Sequence, residues 1–213
     1  TGRFWTLTRN SVAMSTLATV ATVTLAFLYA FTLQRTRAPL RPVLRVVAIL
    51  PLFAPSLVQA QGLILLLGRN GVLNRFLGMQ IDIYGFWGTA IANVLYAFPY
   101  AFLILSAALA VADQRLYESA ELMGADRWRI FRTVTLPEAR YGLAAAAFTV
   151  FTLVMTDFGN AMVIGADFNV LATEVYNQVI GQAQFGLGAV IGVVLLLPPV
   201  LAKLFEARIT KRQ

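Results

Sequence analysis

One acidic residue, Asp157, lies well inside a long apolar stretch of this sequence. A carboxylate in such surroundings is costly and by default indicates a functional site, here one that attracts a cation. Asn160 follows three residues later, a spacing that places two side chains on one helix face. We predict that Asp157, Asn160 and Asn93, an amide in another apolar stretch, line a solute pathway. The alternatives are interhelical bonding for Asn93 and, for Asp157, a position in water or a backbone hydrogen bond at a helix break beside Gly159.

Other chemistry is limited by the residue types that are missing. The 213 residues include no Cys and no His. Disulfides, thiolate nucleophiles, imidazole bases and the commonest zinc ligands are therefore excluded. The remaining acidic residues are scattered, so we predict no metal site and no cofactor. The sequence also lacks a Gly-x-x-x-x-Gly-Lys-Ser/Thr segment, and we do not expect an enzyme.

The composition indicates a membrane protein. Apolar residues make up 59% of the chain, charged residues only 13%, and the mean hydropathy is +0.72. Soluble domains carry about 25% charged residues. The net charge of +7 suggests nucleic acid as one partner, but the basic residues cluster at the ends of apolar runs. That placement favours membrane topology, and we predict no nucleic-acid partner.

Five apolar stretches are long enough to cross a bilayer, which needs about 20 residues. We therefore predict an all-α polytopic bundle with kinks at the interior prolines. A short interfacial helix is expected near residues 172–180. The predicted spans are residues 12–33, 43–67, 86–112, 141–164 and 187–205.

The basic residues predict the orientation of this bundle. Thirteen of the 17 lie on one side if there are five spans. The positive-inside rule then places the C-terminus in the cytoplasm and the N-terminus outside. We expect the chain to be a piece of a longer protein, because it begins at Thr1 without a signal peptide. The thirteen residues are Arg35, Arg37, Arg41, Arg45, Arg115, Arg127, Arg129, Arg132, Arg140, Lys203, Arg208, Lys211 and Arg212.

The cytoplasmic link between the third and fourth spans, residues 113–140, is predicted to form a helical hairpin. Gly124 suits the left-handed end of a first helix over residues 114–123. Asp126 suits the N-cap of a second helix, which carries Trp128 and Phe131 as exposed interface residues. This helix is predicted to end at Leu136-Pro137, with Pro137 in the first turn of the next span. Small residues at 119 and 120 allow another backbone to approach closely.

This link resembles the EAA loop of the permeases of binding-protein-dependent ABC importers. The family pattern is Glu-Ala-Ala, three residues, Gly, nine residues and Ile-x-Leu-Pro. The sequence has that spacing and departs from the pattern at Ser119 and Val134. The matching segments are Glu118-Ser119-Ala120, Gly124 and Val134-Thr135-Leu136-Pro137.

The resemblance covers essentially the whole chain and implies a MetI-like fold in a single permease domain, residues 1–213, of the bacterial inner membrane. It implies that a coupling helix in the link docks on a cytoplasmic ABC ATPase dimer. The other implied partners are a second permease domain, a periplasmic or lipid-anchored substrate-binding protein, and lipid. The implied coupling residues are Glu118, Ser119, Ala120, Gly124, Ala125, Asp126, Arg127, Leu136 and Pro137.

Two further segments are similar to the permeases for iron(III), 2-aminoethylphosphonate and thiamine, which often fuse two permease domains. These segments are Thr156-Asp157-Phe158-Gly159 and Asn169-Val170-Leu171-Ala172-Thr173-Glu174-Val175-Tyr176. The resemblance implies iron(III) or 2-aminoethylphosphonate as the substrate, before thiamine or a polyamine. The alternative function is a secondary transporter driven by an ion gradient, which usually shows coupled intramembrane carboxylates.

Overall fold

A computed structural model describes residues 2–36, 39–78, 82–111 and 113–210. The described residues form helices and no strand. The α-helices are α1 (Gly2–Arg35), α2 (Arg41–Ile49), α3 (Ser56–Leu67), α4 (Val72–Leu77), α5 (Phe86–Val111), α6 (Gln114–Leu122), α7 (Arg127–Ile130), α8 (Leu136–Thr156), α9 (Gly159–Ile164), α10 (Leu171–Tyr176) and α11 (Phe185–Thr210). A 3-10 helix covers Leu50–Phe53, and π-helical turns cover Phe131–Thr135 and Asn177–Gly181.

Helices α1, α5 and α8 form the centre of the bundle, and α11 packs on α8 and α10. The buried face of α1 carries a stripe of small residues at a spacing of four, and similar residues lie on the facing helices. Small side chains allow helix backbones to approach closely where lipid provides no hydrophobic drive for association. The α1 stripe consists of Ala18, Thr22, Ala26 and Ala30, which are fully buried.

Four of the helical stretches are long and apolar enough to cross a membrane, and a bent pair makes a possible fifth span. The first and third predicted spans correspond to α1 and α5, and the fifth to α11. Helices α5 and α11 continue through their interior prolines. The predicted third-span end at residue 112 and the basic residues Arg37, Lys211 and Arg212 lie outside the described residues.

The second predicted span, 43–67, is not one kinked helix. The segments Arg41–Phe53 and Ser56–Leu77 meet at an angle of 109°. The break follows from Pro51 and Pro55, which cannot donate backbone hydrogen bonds. The side-chain amide of Gln59 donates to the Pro51 and Ala54 carbonyl oxygens at 2.7 and 2.8 Å. The Pro51 carbonyl also accepts from the Ala54 N–H at 3.2 Å, and the Gln59 bonds add to it, so the bend is stabilised within the segment.

The fourth predicted span, 141–164, begins earlier and ends earlier than expected. A continuous helical stretch runs from Arg127 through the π turn to Thr156. The second hairpin helix therefore does not end at Leu136-Pro137. Pro137 lies in the first turn of α8, as predicted, where its missing N–H is tolerated. The chain then breaks at Asp157, and α9 forms a separate short helix against α3.

The predicted interfacial helix near 172–180 corresponds to α10 and the following π turn. Its first turn is buried rather than spread on a surface, with Leu171, Thr173 and Glu174 all inaccessible. Helix α10 packs against α11 and α1. The segment is therefore part of the bundle.

Candidate functional site

The hairpin begins with a capped first arm. The Asp113 carboxylate accepts a hydrogen bond from the Arg115 backbone N–H at 2.9 Å at the start of α6. Gly124 has a φ of +75°, the left-handed conformation expected at the end of such a helix. The Ala125 N–H donates to the Ala120 carbonyl at 3.0 Å, which closes the turn. The predicted helix, 114–123, thus ends within about one residue of its observed boundary.

The second arm begins at Asp126, as predicted. Its carboxylate accepts a hydrogen bond from the Arg129 N–H at 2.7 Å. After one turn the α-helix changes to the π turn Phe131–Thr135. Such π turns inside longer helices are frequent at functional sites. The two capped arms and the left-handed glycine together give the link a defined shape.

The predicted coupling residues lie on both sides of this turn. Most of them are exposed, but Ala120 is buried and Ala125 is half-buried. The small side chain of Ala120 therefore serves packing within the hairpin rather than an outer surface. The exposed members are Glu118, Ser119, Gly124, Asp126, Arg127, Leu136 and Pro137.

Two apolar residues at the tip of the hairpin were not among the residues predicted from the sequence. Leu122 is 90% exposed and Met123 is 80% exposed. Trp128 is exposed nearby, as predicted, whereas Phe131 is half-buried against Phe27 and Phe31 of α1. The sequence did offer a signal for this exposed tip, because Leu122 and Met123 directly precede Gly124, the glycine that ends the helix. An apolar tip of this kind is typical of a protein–protein contact.

An open groove of about 1060 Å³ is lined by residues of both the hairpin and the end of α1. Leu28 and Phe31 line its α1 side, and Tyr117 and Trp128 line its hairpin side. The Arg35 guanidinium lies 3.9 Å from the centre of the Tyr117 ring. A cation over an aromatic face is attractive, so this pair joins α1 to α6 across the groove.

The structure brings Asp157, Asn160 and Asn93 together, but not through a shared helix face. Helix α8 ends at Thr156, so the expectation that Asp157 and Asn160 lie on one helix is wrong. Instead the Asp157 carboxylate accepts a hydrogen bond from the Asn160 backbone N–H at 2.9 Å. The Asn160 side-chain amide donates to Asn93 Oδ1, also at 2.9 Å. Asp157 therefore makes the backbone bond at a helix break that was one of its two alternatives.

This polar group is buried where α3, α5 and α9 meet. Asp157, Asn160 and Asn93 are buried, and Ser56 at the start of α3 lies beside the Asp157 carboxylate. A small cavity of about 10 Å³ lies beside Asp157 and Asn93 and is also lined by Ser11. The side-chain hydrogen bond between Asn160 and Asn93 ties α9 to α5, and α9 also packs on α3. The arrangement also places the Asp157 carboxylate at the break between α8 and α9. The chain can change its conformation at such a break without interrupting a continuous helix.

Among the described residues, ion pairs lie at the end of the bundle opposite the hairpin. Arg69 contacts Asp82 at 3.2 Å, and both side chains are exposed. Arg3 contacts Glu174 at 2.9 Å, and the Glu174 carboxylate is buried. Among the described residues no group of three His, Cys, Asp or Glu side chains converges as a metal site would require.

Comparisons with known proteins identify relatives of this chain. The ferric transport system permease protein FbpB of Actinobacillus pleuropneumoniae is 33% identical over 187 residues, covering 84% of this chain and 27% of the relative. The chain spans less than a third of the length of the ferric relatives it matches. The molybdenum transport system permease protein ModB of Azotobacter vinelandii is 29% identical over 211 residues, covering 94% and 92%.

The fold also matches solved structures. One chain of a bacterial alginate ABC transporter, crystallised with an alginate-bound periplasmic protein, superposes with a TM-score of 0.83. It is 19% identical, and the match covers 100% of this chain and 80% of that chain. The predicted all-α bundle of the MetI-like permease fold is confirmed. Residues 22–213 match the family model, and the chain belongs to the family of binding-protein-dependent transport system inner membrane components.

Proposed function

We propose that this chain is a transmembrane permease domain of an ATP-driven importer, and that it couples to a cytoplasmic ATPase dimer through residues 113–140. The observation that carries the proposal is the capped hairpin with Gly124 at its turn and exposed apolar residues at its tip. A defined shape lowers the entropic cost of docking, and Leu122 and Met123 supply apolar surface for it. The exposed charges of Glu118 and Arg127 then set the register of the contact.

The rest of the complex follows from this assignment. A second permease domain pairs with this one to enclose the pathway, and a loaded binding protein docks on the links at the other end of the bundle. The N-terminus lies outside and the C-terminus in the cytoplasm, where the positive-inside rule holds the basic links. The chain supplies no nucleotide chemistry. ATP binding by the partner shifts the equilibrium between the two conformations of the permease, because these conformations have different affinities for the nucleotide-bound ATPase.

The substrate we propose is iron(III). The relatives that match at 33% identity are named for ferric transport. Relatives named for molybdenum and for spermidine and putrescine also match, at 28–30% identity. The candidates therefore include a multivalent cation, an oxyanion and a polyamine, and 2-aminoethylphosphonate and thiamine remain candidates from the sequence resemblance. A negative pathway residue, Asp157, suits the cations among them.

Asp157, Asn160 and Asn93 are the residues we propose for the substrate pathway. Their support is their burial, the small cavity that Asp157 and Asn93 line, and the position of Asp157 at a helix break. An ionisable side chain at this depth is costly unless it has a role.

The assignment is tested by ATP hydrolysis of the full complex in lipid nanodiscs. The binding protein is loaded in turn with Fe(III), molybdate, 2-aminoethylphosphonate, thiamine or spermidine. Stimulation by Fe(III) alone supports both the importer assignment and iron(III) as the substrate. Stimulation by another ligand supports the importer assignment with that ligand as the substrate. An assembled complex that no ligand stimulates removes the whole substrate group. If no complex with an ATPase forms, the permease assignment fails and the gradient-driven alternative gains.

The docking surface has its own test. Glu118→Lys combined with Gly124→Asp should abolish co-purification with the ATPase. The matched control is Asp167→Lys with Gly181→Asp, which makes the same charge changes on the opposite link at a glycine with open space around its Cβ position. Equal recovery of the ATPase with both double variants would show that the hairpin is not the docking site.

A further inference from the structure

Helix α1 differs from the other long helices in being uninterrupted. It runs for 34 residues from Gly2 to Arg35 and contains neither proline nor an interior glycine. Helix α5 contains Pro99, α11 contains two prolines, and α8 ends at the Asp157 break. Kinks and bends in helices arise at such residues and breaks. Helix α1 is therefore the longest described helix, and it contains no residue or break of this kind.

One end of α1 is joined to the link that contains α10. Arg3 makes its ion pair with the buried carboxylate of Glu174. Nearer the middle, the Ser11 hydroxyl accepts a hydrogen bond from the Leu171 backbone N–H at 2.8 Å, and this bond is buried. A charge pair and a buried hydrogen bond thus hold the first turn of α10 on α1.

The other end of α1 is joined to the first arm of the hairpin. The Arg35 guanidinium lies over the Tyr117 ring at 3.9 Å. The Tyr117 hydroxyl lies 3.2 Å from the hydroxyl of Thr135, a buried residue at the end of the π turn. Arg35 also donates to the Leu109 carbonyl of α5 at 3.4 Å.

The second arm of the hairpin contacts α1 through aromatic rings. The Phe131 ring lies 5.6 Å from that of Phe31 in an edge-to-face arrangement, and 6.1 Å from that of Phe27. Pairs in this geometry contribute beyond their burial. Both arms of the hairpin are therefore held on the last turns of α1.

We infer that α1 acts as a strut that transmits movement between the hairpin and the α10 link, with Ser11 in its N-terminal third and Arg35 in its last turn as positioning residues. This inference rests on the proposed function, in which the hairpin meets the ATPase and the opposite links meet the binding protein. At 1.5 Å per residue, α1 extends about 48 Å from Arg3 to Arg35, more than the hydrocarbon thickness of about 30 Å. Because a stiff helix that is fixed at both ends moves as one body, the hairpin and the α10 link move together.

The test compares binding-protein-stimulated with basal ATP hydrolysis in the full nanodisc complex. Arg35→Gln and Ser11→Ala should each lower the stimulation about 2- to 30-fold while the complex still assembles. Arg35→Lys keeps a cation for the Tyr117 ring and should restore most of the stimulation. Thr16→Ala is the matched control for Ser11, because its hydroxyl bonds to the Val12 carbonyl within α1. Full stimulation in both Arg35→Gln and Ser11→Ala would overturn the strut.

Two further comparisons separate a shared route from local damage. If both ends belong to one route, the double variant Ser11→Ala/Arg35→Gln should lose no more stimulation than the worse single variant. Losses that multiply would mean independent effects and would overturn the inference. Stiffness is tested at the outward-facing Val20 and Leu25. Glycine at both positions should lower stimulation, and alanine at both should not.

A failure of the proposed function is recognised differently. In that case the unmodified chain assembles with no ATPase, or the assembled complex shows no stimulation before any strut residue is changed. A stimulated wild-type complex with unaffected end variants instead overturns the strut alone.

Discussion

The side-chain amide of Asn160 donates a 2.9 Å hydrogen bond to Asn93 Oδ1, and both residues are buried. Asn93→Leu should lower the free energy of unfolding by about 0.6 kcal/mol, and by at most about 1.7 kcal/mol, because it leaves the Asn160 amide without this acceptor. Denaturant unfolding in detergent measures the loss. The variant Asn93→Leu/Asn160→Leu completes the cycle, and strictly additive losses would show that the bond contributes nothing to stability.

Asp157→Asn separates the charge of the helix break from its hydrogen bond. Asparagine keeps an acceptor oxygen for the Asn160 N–H, so assembly with the ATPase should not change. Transport of a cationic substrate should fall about tenfold, because the charge-assisted interaction is lost. Uptake into proteoliposomes measures it. Unchanged cation uptake in a well-assembled Asp157→Asn complex would remove Asp157 from the pathway.

Gly159→Ala should separate α9 from α3. A Cβ atom at Gly159 would lie 2.5 Å from Ser56 Oγ and 2.6 Å from the Leu57 backbone nitrogen. Overpacking of this kind costs roughly 1–3 kcal/mol, and the thermal midpoint should fall. Gly62→Ala on α3 is the control, because nothing lies within 4 Å of its Cβ position. Equal thermal midpoints for Gly159→Ala and Gly62→Ala would contradict the close contact between α9 and α3.

Gly124→Ala should strain the hairpin turn without any clash. Gly124 has a φ of +75° and open space around its Cβ position, so only the backbone conformation opposes a side chain. The left-handed conformation costs an ordinary residue about 1–2 kcal/mol. Hydrogen exchange of the Ala125 amide should accelerate accordingly, and Gly124→Asn should be milder. Gly192→Ala provides a control on α11, and unchanged Ala125 exchange would contradict the turn.

The link before α5 should respond to acid. The Tyr84 backbone N–H donates to the Asp82 carboxylate, and Arg69 contacts it, so the pKa of Asp82 is held below its usual value. A lowered pKa means that the stabilisation is present above the unfolded pKa and is lost as the pH falls through the folded one. Protection of the Tyr84 amide, corrected for intrinsic exchange, should therefore decrease only below about pH 4.

The control for this acid response is Asp82→Asn, which keeps an acceptor but cannot titrate. Its Tyr84 protection should be independent of pH over the same range. An equal acid response in both chains would assign the effect to another group.

Local signals were sufficient for the hairpin. Gly124 and Asp126 act through their own backbone conformation and their own side chain, and both have the predicted roles. The same signals could not show that the second arm runs on into α8. A Leu-Pro pair is compatible with a helix end and with a first helical turn, and packing of Phe131 on α1 selects the second.

The helix break shows the opposite case. The spacing of Asp157 and Asn160 indicated one helix face, yet the two residues meet because α8 ends at Thr156, before Asp157, and α9 begins at Gly159. Asn93 is distant in sequence, and its bond to Asn160 depends on how α5 and α9 pack. Spacing alone cannot distinguish a continuous helix from two helices joined at an acidic residue.

By itself the sequence determined the membrane environment, the approximate spans and the hairpin motif, because these depend on hydropathy, length and local backbone preference. The tertiary structure decided which helices stay straight and which break. It bent the second span by 109° around the Gln59 bonds, and it buried Asp157 against Ser56 and Asn160. It also joined Arg35 to Tyr117. These contacts link residues far apart in the chain, and only the packed bundle brings them within bonding distance.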